Sequence, residues 1–112
     1  MRRGAIWWAS LPEPTGSEPG YRRPVLIVQA DEFNKSSIRT VICAAITSNL
    51  NLADAPGNVR LTPRASGLKK PSVVNVSQLL RVDRSRLTEH VKGLDAQNMR
   101  QIDDGLRLVM QL

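Results

Sequence analysis

The sequence predicts a mainly β fold with added helices, in which short strands form a small barrel or sandwich and one helix ends the chain. Three observations predict it. Short β-branched and aliphatic runs recur along the sequence, and turns rich in proline and glycine separate them. Only the last stretch carries apolar residues at helical spacing. With 112 residues, 41% of them apolar, the chain can bury one core, so we expect a single domain over residues 1–112.

The first two strands flank a long loop. AIWWAS, residues 5–10, mixes aliphatic and aromatic residues and predicts a short strand. LPEPTGSEPGYRR, residues 11–23, holds three prolines and two glycines, which predicts a loop. PVLIVQ, residues 24–29, predicts a buried strand opened by Pro24, because proline is tolerated at a first strand position.

Three further strands are predicted downstream. IRTVICAAITSN, residues 38–49, is a second buried strand. Its alternation places Val41, Cys43, Ala45 and Thr47 on one face and Ile42, Ala44 and Ile46 on the other. VRLTP, residues 59–63, alternates over a short run, and residues 72–76 are again β-branched.

The end of the chain changes periodicity. Apolar residues recur at spacings of 3, 4 and 3 in one helical face, formed by Met99, Ile102, Leu106 and Val109. Asp95 is the predicted N-cap. Gly105 weakens the helix by roughly 1 kcal/mol relative to alanine, so packing on the sheet must hold it. Before the helix, Asp83 is predicted to cap a short helical turn through Leu87, with a brief strand after it.

The charge is positive and uneven. The net charge is +6 and the sequence pI about 10.5. Residues 1–70 carry ten Lys/Arg and five Asp/Glu, a net of +5, whereas residues 71–112 carry a net of only +1. Such an excess favours an anionic partner, either nucleic acid or an acidic protein segment. The alternative is that the charge only keeps a small protein soluble.

Several classes of protein are disfavoured. No stretch approaches the ~18 consecutive apolar residues of a membrane span, so no membrane partner is expected, and the N-terminus lacks the apolar region of a signal peptide. One cysteine and one histidine allow neither an internal disulfide nor a multi-cysteine metal site. We therefore expect a cytoplasmic protein without metal or cofactor.

Familiar catalytic sets are also missing. The GSEPG stretch lacks the Lys-Ser/Thr of a phosphate-binding loop. His90, among charged residues, predicts an exposed surface histidine, and Cys43, inside an apolar strand, predicts a small core residue. Asp103 and Asp104 are expected on the solvated side of the last helix.

What remains is a set of polar residues at loop edges. Its members are Ser17, Glu18, Arg22, Arg23, Thr47, Ser48, Asn49 and Gln78. An arginine with hydroxyl donors suits the anionic oxygens of a phosphate. RNA cleavage needs no metal, because the ribose 2′-hydroxyl is an internal nucleophile and the protein supplies proton transfer and charge stabilisation. The composition permits this chemistry without specifying it.

Four segments together resemble the MazF/PemK toxin family, the endoribonuclease half of bacterial toxin–antitoxin pairs. They are RRGAIWWASL, GSEPGYRRPVLIVQ, TVICAAITSN, and SVVNVSQLLRVDRSRL followed by GLDAQNM. The second is similar to the family's spaced G-S-E and R-P signature, in which the arginine before proline falls on Arg23. The third ends, as in the family, in a threonine at Thr47. The resemblance covers essentially the full length.

The resemblance implies an SH3-like small barrel of the CcdB/PemK type with a C-terminal helix, working as a homodimer. It implies metal-independent, sequence-specific cleavage of single-stranded RNA to 2′,3′-cyclic phosphate and 5′-hydroxyl ends, and an acidic antitoxin as restraint. Arg23 and Thr47 would be the catalytic pair. The residues expected to bind RNA are Ser17, Glu18, Arg22, Ser48 and Gln78. Two departures are Ala5, where relatives usually carry Asp or Glu, and Ser77, where some carry Asp.

Some alternatives stay open on the sequence. Arg22 fits a groove rim as well as a phosphate contact. Trp7 and Trp8 are expected on opposite faces, one in the core and the other facing a loop or RNA. A basic patch of Arg60, Arg64, Lys69 and Lys70 is either an RNA path or solvated charge. A gyrase-poisoning toxin of the CcdB type and a non-catalytic SH3-like nucleic-acid binding module are the alternative functions.

Overall fold

The computed structural model describes residues 1–12 and 21–112, so the predicted RNA-binding residues Ser17 and Glu18 lie outside the described residues. The strands in these ranges are β1 Ala5–Leu11, β2 Tyr21–Ile27, β3 Thr40–Thr47, β4 Val59–Leu61, β5 Ser72–Asp83 and β6 Leu87–Gly93. The α-helices are α1 Asp31–Asn34, α2 Pro63–Ser66 and α3 Ala96–Met110. Two 3₁₀ turns span Leu50–Asp54 and Arg84–Arg86, the second capped by Asp83 as predicted.

The strands form one antiparallel sheet in the order β4-β5-β3-β2-β1-β6. The sheet curls into a half-barrel, which confirms the predicted mainly β fold with a C-terminal helix. None of the helices in the described ranges is long and apolar enough to cross a membrane.

Each face of the sheet buries its own apolar cluster, as strand alternation requires. On β3, Val41 and Cys43 belong to one cluster and Ala44 and Ile46 to the other. The second cluster is the one that also contains Ile102 and Leu106 of α3. Trp7 packs against the first cluster and Trp8 against the second, which confirms their opposite faces.

The boundary predicted for the second strand is wrong. β2 begins at Tyr21 rather than Pro24, and β1 extends through Leu11. The predicted loop therefore has paired ends, because Arg22 and Arg23 lie opposite residues of β1. Pro24 is tolerated inside the strand, since the β2–β3 ladder starts only at Val25, and proline needs a side without ladder bonds.

The fifth strand is longer than predicted, because it continues past a bulge. Asn75 pairs with Ala45, but the next pair along β3 joins Ala44 to Leu79. Residues 76–78 therefore have no counterpart in β3. A bulge of this kind bends a strand and re-aims its side chains, and here it allows β5 to run from Ser72 to Asp83.

The C-terminal helix is capped and packed on one face. The Asp95 carboxylate accepts the Asn98 N–H at 2.8 Å, as predicted. Ile102 and Leu106 are buried. Val109, predicted on the same face, is 43% exposed, so that part of the prediction is wrong; the last helical turn contributes no residue to either cluster.

Gly105 reflects a close backbone approach rather than a weak point in the helix. A Cβ at position 105 would lie 2.1 Å from the carbonyl oxygen of Gly57. Gly57 itself has φ +82, which favours glycine. The two glycines together let α3 lie directly against the chain that leads into β4.

Gly105→Ala should lower the free energy of unfolding by about 3 kcal/mol, because a backbone carbonyl cannot move aside cheaply. Urea unfolding followed by circular dichroism measures the change. Gly93→Ala is the matched control, since a Cβ there meets nothing within 4 Å; its effect should stay below about 1 kcal/mol. Equal stability of the two variants would contradict the packing role of Gly105.

Cys43 is a core residue, as predicted. Its side chain is fully buried, and desolvation raises the pKa of the thiol to about 12. The reactive thiolate is therefore not available in the folded protein.

Native protein at about pH 8 should resist a thiol-reactive disulfide reagent, whereas an ordinary exposed cysteine would react. Absorbance of the released thiol gives the rate. The urea-unfolded protein is the control and should release one equivalent, because the chain has one cysteine. Rapid labelling of the native protein would show that the strand opens or that the thiol is reachable.

Candidate functional site

The strand register brings the predicted catalytic pair to the same end of the sheet. β2 pairs with β3 through Val25 opposite Ala45 and Leu26 opposite Ala44. The last pair of this ladder is Val25 with Ala45, and Arg23 and Thr47 each lie two residues beyond it. Two residues separated by a long stretch of sequence therefore lie at the same end of β2 and β3.

Three of the predicted residues line one cleft at these strand ends. They are Arg22, Arg23 and Ser48. Thr47 and Gln78 are not among the residues that line it.

Thr47 is held at the end of β3 by its own hydroxyl. Thr47 Oγ1 accepts the Asn49 N–H at 3.1 Å. The Asn49 side chain in turn accepts the Asn51 N–H at 3.2 Å and caps the following 3₁₀ turn. Because a hydroxyl can accept one hydrogen bond and donate another, the O–H of Thr47 can still donate to a ligand at the ends of the strands.

Arg23 is exposed and forms no ion pair within residues 1–12 and 21–112. Its planar guanidinium presents several N–H donors in a fixed fork. An unpaired guanidinium beside a hydroxyl donor is suited to a phosphate group.

Gln78 lies in the β5 bulge. Its Oε1 accepts a hydrogen bond of 3.0 Å from Asn75 Nδ2, and Ser77 Oγ donates to Asn75 Oδ1 at 2.8 Å. Asn75 is buried and pairs with Ala45, which precedes Thr47 by two residues in β3. The sequence reasoning missed Asn75, although an asparagine inside a β-branched run is the signal that could have found it.

The cleft at these strand ends has a volume of about 680 Å³. Its polar and aromatic lining includes Trp8, Arg22, Arg23, Ser48, Lys69 and Lys70. Arg22 is placed by two contacts: its guanidinium carbon lies 4.2 Å from the centre of the Trp8 ring, and its Nη2 lies 3.0 Å from Glu89 Oε1. Strand pairing explains this arrangement, because Trp8 lies opposite Glu89 of β6.

Titratable groups elsewhere are engaged in structure. The side-chain and backbone hydrogen bonds from Ser85 lower the pKa of Asp83. The backbone N–H of Arg3, followed by the Asn34 side chain, lowers the pKa of Asp31. Asp103, expected in solvent, is instead only partly exposed and pairs with Arg3 at 2.8 Å, which ties α3 to the N-terminus.

Two further sequence expectations concern metals and histidine. Within residues 1–12 and 21–112, no group of three or more His, Cys, Asp or Glu lies close enough to hold a metal ion. His90 is exposed, as predicted, with its ring in edge contact with Trp7 at 5.3 Å between centroids. Ala5 is buried in a core cluster, so a carboxylate at that position would have to be accommodated there.

Relatives and solved structures of this shape are known. The chain is 46% identical over 112 residues to Endoribonuclease MazF6 of Mycobacterium tuberculosis, covering 100% of this chain and 98% of the relative. Among solved structures, MazF from Deinococcus radiodurans has a TM-score of 0.80 at 22% identity, covering 100% of this chain and 97% of that one. An endoribonuclease in complex with its cognate antitoxin, from a mycobacterial species, has a TM-score of 0.77 at 19% identity, covering 100% and 94%.

The family assignment rests on sequence as well as on shape. Residues 2–110 match the PemK-like, MazF-like toxin family. Because this match spans nearly the whole chain, and a relative at 46% identity is covered end to end, the protein belongs to the PemK-like, MazF-like toxins of type II toxin–antitoxin systems.

Proposed function

We propose that this toxin is an endoribonuclease that cleaves single-stranded RNA without a metal ion, with residues 1–112 acting as one domain. The observation that carries the proposal is the position of Arg23 and Thr47 at the same end of β2 and β3, each two residues beyond the last pair of the ladder. The names of its relatives support the class of reaction, since MazF6 is an endoribonuclease. The net charge of +6 supports an anionic substrate.

The proposed reaction uses the RNA's own nucleophile. The ribose 2′-oxygen attacks the adjacent phosphorus and loses its proton, and the bond from phosphorus to the 5′-oxygen breaks as that oxygen gains a proton. The products are a 2′,3′-cyclic phosphate and a 5′-hydroxyl. Holding the nucleophile in line with the leaving oxygen supplies part of the acceleration.

Arg23 would stabilise the pentacoordinate phosphorus, because its charge is permanent and no described carboxylate neutralises it. It would also take part in proton transfer. Thr47 would donate its O–H to a non-bridging phosphate oxygen while Asn49 fixes the orientation of the hydroxyl. Donors already aimed at developing charge need no reorganisation during the reaction. Gln78, together with Asn75, would line the RNA side of this pair.

Arg23→Ala and Thr47→Val should each reduce cleavage of a long RNA at least about 100-fold, since each removes one donor to the phosphate. Cleavage is measured in EDTA by mapping 5′-hydroxyl ends, which also reveals the recognition sequence. Thr47→Ser should restore much of the loss, because serine keeps the hydroxyl while valine keeps only the shape.

Arg100→Ala is the matched control, since it removes an exposed arginine from α3 and should leave cleavage unchanged. Retained cleavage in both Arg23→Ala and Thr47→Val would exclude this site. RNA binding by the wild-type protein without any cleavage would instead favour a non-catalytic binding module.

The proposal includes a partner that restrains the toxin. A mycobacterial endoribonuclease of this fold has been solved with its cognate antitoxin, and the basic side chains around the strand mouth suit an acidic, partly disordered segment. We therefore expect an acidic antitoxin to cover Arg23 and to compete with RNA. The place of action would be the cytoplasm, where messenger RNA is found.

A homodimer is also part of the proposal. Exposed apolar side chains of Phe33, Ile42 and Met110 line a groove of about 580 Å³ on the described surface, and burial between two copies would remove them from water. Analytical ultracentrifugation of the purified toxin should give twice the mass of the chain.

A further inference from the structure

We propose that the cleft between Trp8, Arg22, Lys69 and Lys70 is a second RNA subsite, which binds one unpaired nucleotide next to the scissile phosphate, and that Glu89 opposes this binding by holding Arg22. This inference rests on the proposed function. It adds a site that Thr47 does not line, with its own residues and its own measurable contribution.

The location of the cleft favours a neighbouring nucleotide. Arg23 lines the cleft and lies at the same end of the strands as Thr47. The cleft therefore begins where the proposed cleavage site ends. A single strand passing over the end of β2 would place one phosphate at Arg23 and the adjoining nucleotide in the cleft.

Trp8 and Arg22 provide a platform for a base. The Arg22 guanidinium stacks 4.2 Å from the centre of the Trp8 ring, and the Arg22 side chain is 53% exposed. Single-stranded nucleic acids bind by stacking bases on aromatic rings and guanidinium planes. A base can rest on the exposed guanidinium or take its place on the indole ring.

Lys69 and Lys70 provide the charge for a phosphate. Both are exposed, both line the cleft, and neither forms an ion pair with residues in the described ranges. They follow Leu68, which is buried, so the chain that carries them is anchored in the core. An anchored pair of free ammonium groups across from a stacking platform suits a nucleotide.

Glu89 lowers the affinity of the cleft for a phosphate. Its carboxylate lies 3.0 Å from Arg22 and lines the same cleft. The pair is exposed on both sides, so the ion pair is weak and can open. An incoming phosphate must compete with Glu89 for Arg22, which lowers the affinity of the subsite. Glu89 also repels an acidic peptide, and such a peptide gains nothing from the stacking surface of Trp8 and Arg22. A nucleotide does gain from stacking, so we assign the cleft to RNA.

The test measures RNA binding apart from cleavage. The probe is a fluorescein-labelled RNA oligonucleotide that carries the mapped cleavage site with a 2′-deoxyribose at the cut position, so that it binds without reacting. Fluorescence anisotropy over a series of salt concentrations gives the affinity and the slope of log K against log salt. Cleavage of the unmodified RNA gives kcat and KM.

Lys69→Ala/Lys70→Ala should make the salt slope shallower by about 0.7, because the two lysines serve one phosphate and each phosphate contact to a single strand contributes about 0.7. It should raise KM with little change in kcat. Lys35→Ala/Arg100→Ala is the matched control: it removes the same charge from exposed positions outside the cleft and should leave the slope unchanged.

Glu89→Gln should bind the RNA several-fold more tightly and make the salt slope steeper by about 0.7, since Arg22 becomes available to a phosphate. Trp8→Leu should weaken binding about tenfold through lost stacking, and Trp8→Phe should retain most of it. Because Trp8 also packs in the core, the lysine and Glu89 variants carry the test if Trp8→Leu does not fold.

Equal slopes for the lysine pair and its control, with normal cleavage, would overturn this inference alone. A slope that depends on Lys69 and Lys70 in a protein that cuts no RNA would overturn the proposed function and leave the subsite. Binding of poly-glutamate that depends on the two lysines, with RNA binding unaffected, would assign the cleft to an acidic peptide and overturn the inference.

Discussion

The pairing of β2 with β3 is the constraint on which the rest of the structure depends. These strands lie in the middle of the sheet, and their residues supply both apolar clusters. A shift of one residue would exchange the two faces of a strand and move its side chains from one cluster into the other. The fit of Val25 in one cluster and Leu26 in the other therefore fixes the register, and this register brings Arg23 and Thr47 to the same end of the two strands.

The elements around this pair adapt to it. β5 pairs with β3 on both sides of a bulge, and the bulge brings Asn75 and Gln78 within hydrogen-bonding distance of each other. α3 covers the second cluster closely because Gly57 and Gly105 allow the two backbones to touch. A side chain at either glycine would push the helix away from the cluster it covers. The packing of this cluster therefore depends on the contact between Gly57 and Gly105.

Much of the site was accessible from the sequence, and its limits have physical causes. Residue types, the signature around Arg23 and a threonine at a strand end point to the same family that the full-length relatives define. The pairing of Arg22 with Glu89, and its stacking on Trp8, was not accessible, since these contacts join three strands. Asn75 stands out in the sequence as an asparagine inside a β-branched run, but its hydrogen bonds depend on a bulge that the sequence pattern does not predict.

The sequence by itself determined which segments form strands along the chain and that the last segment is a helix, because alternation and helical spacing are local patterns. It also determined that Cys43 is buried and that Asp95 caps α3. Only the tertiary structure decided that β2 starts at Tyr21 and that Arg22, Arg23 and Ser48 line one cleft. The physical reason is that pairing partners, and the side of a strand that each residue faces, follow from long-range register, which local sequence patterns do not contain.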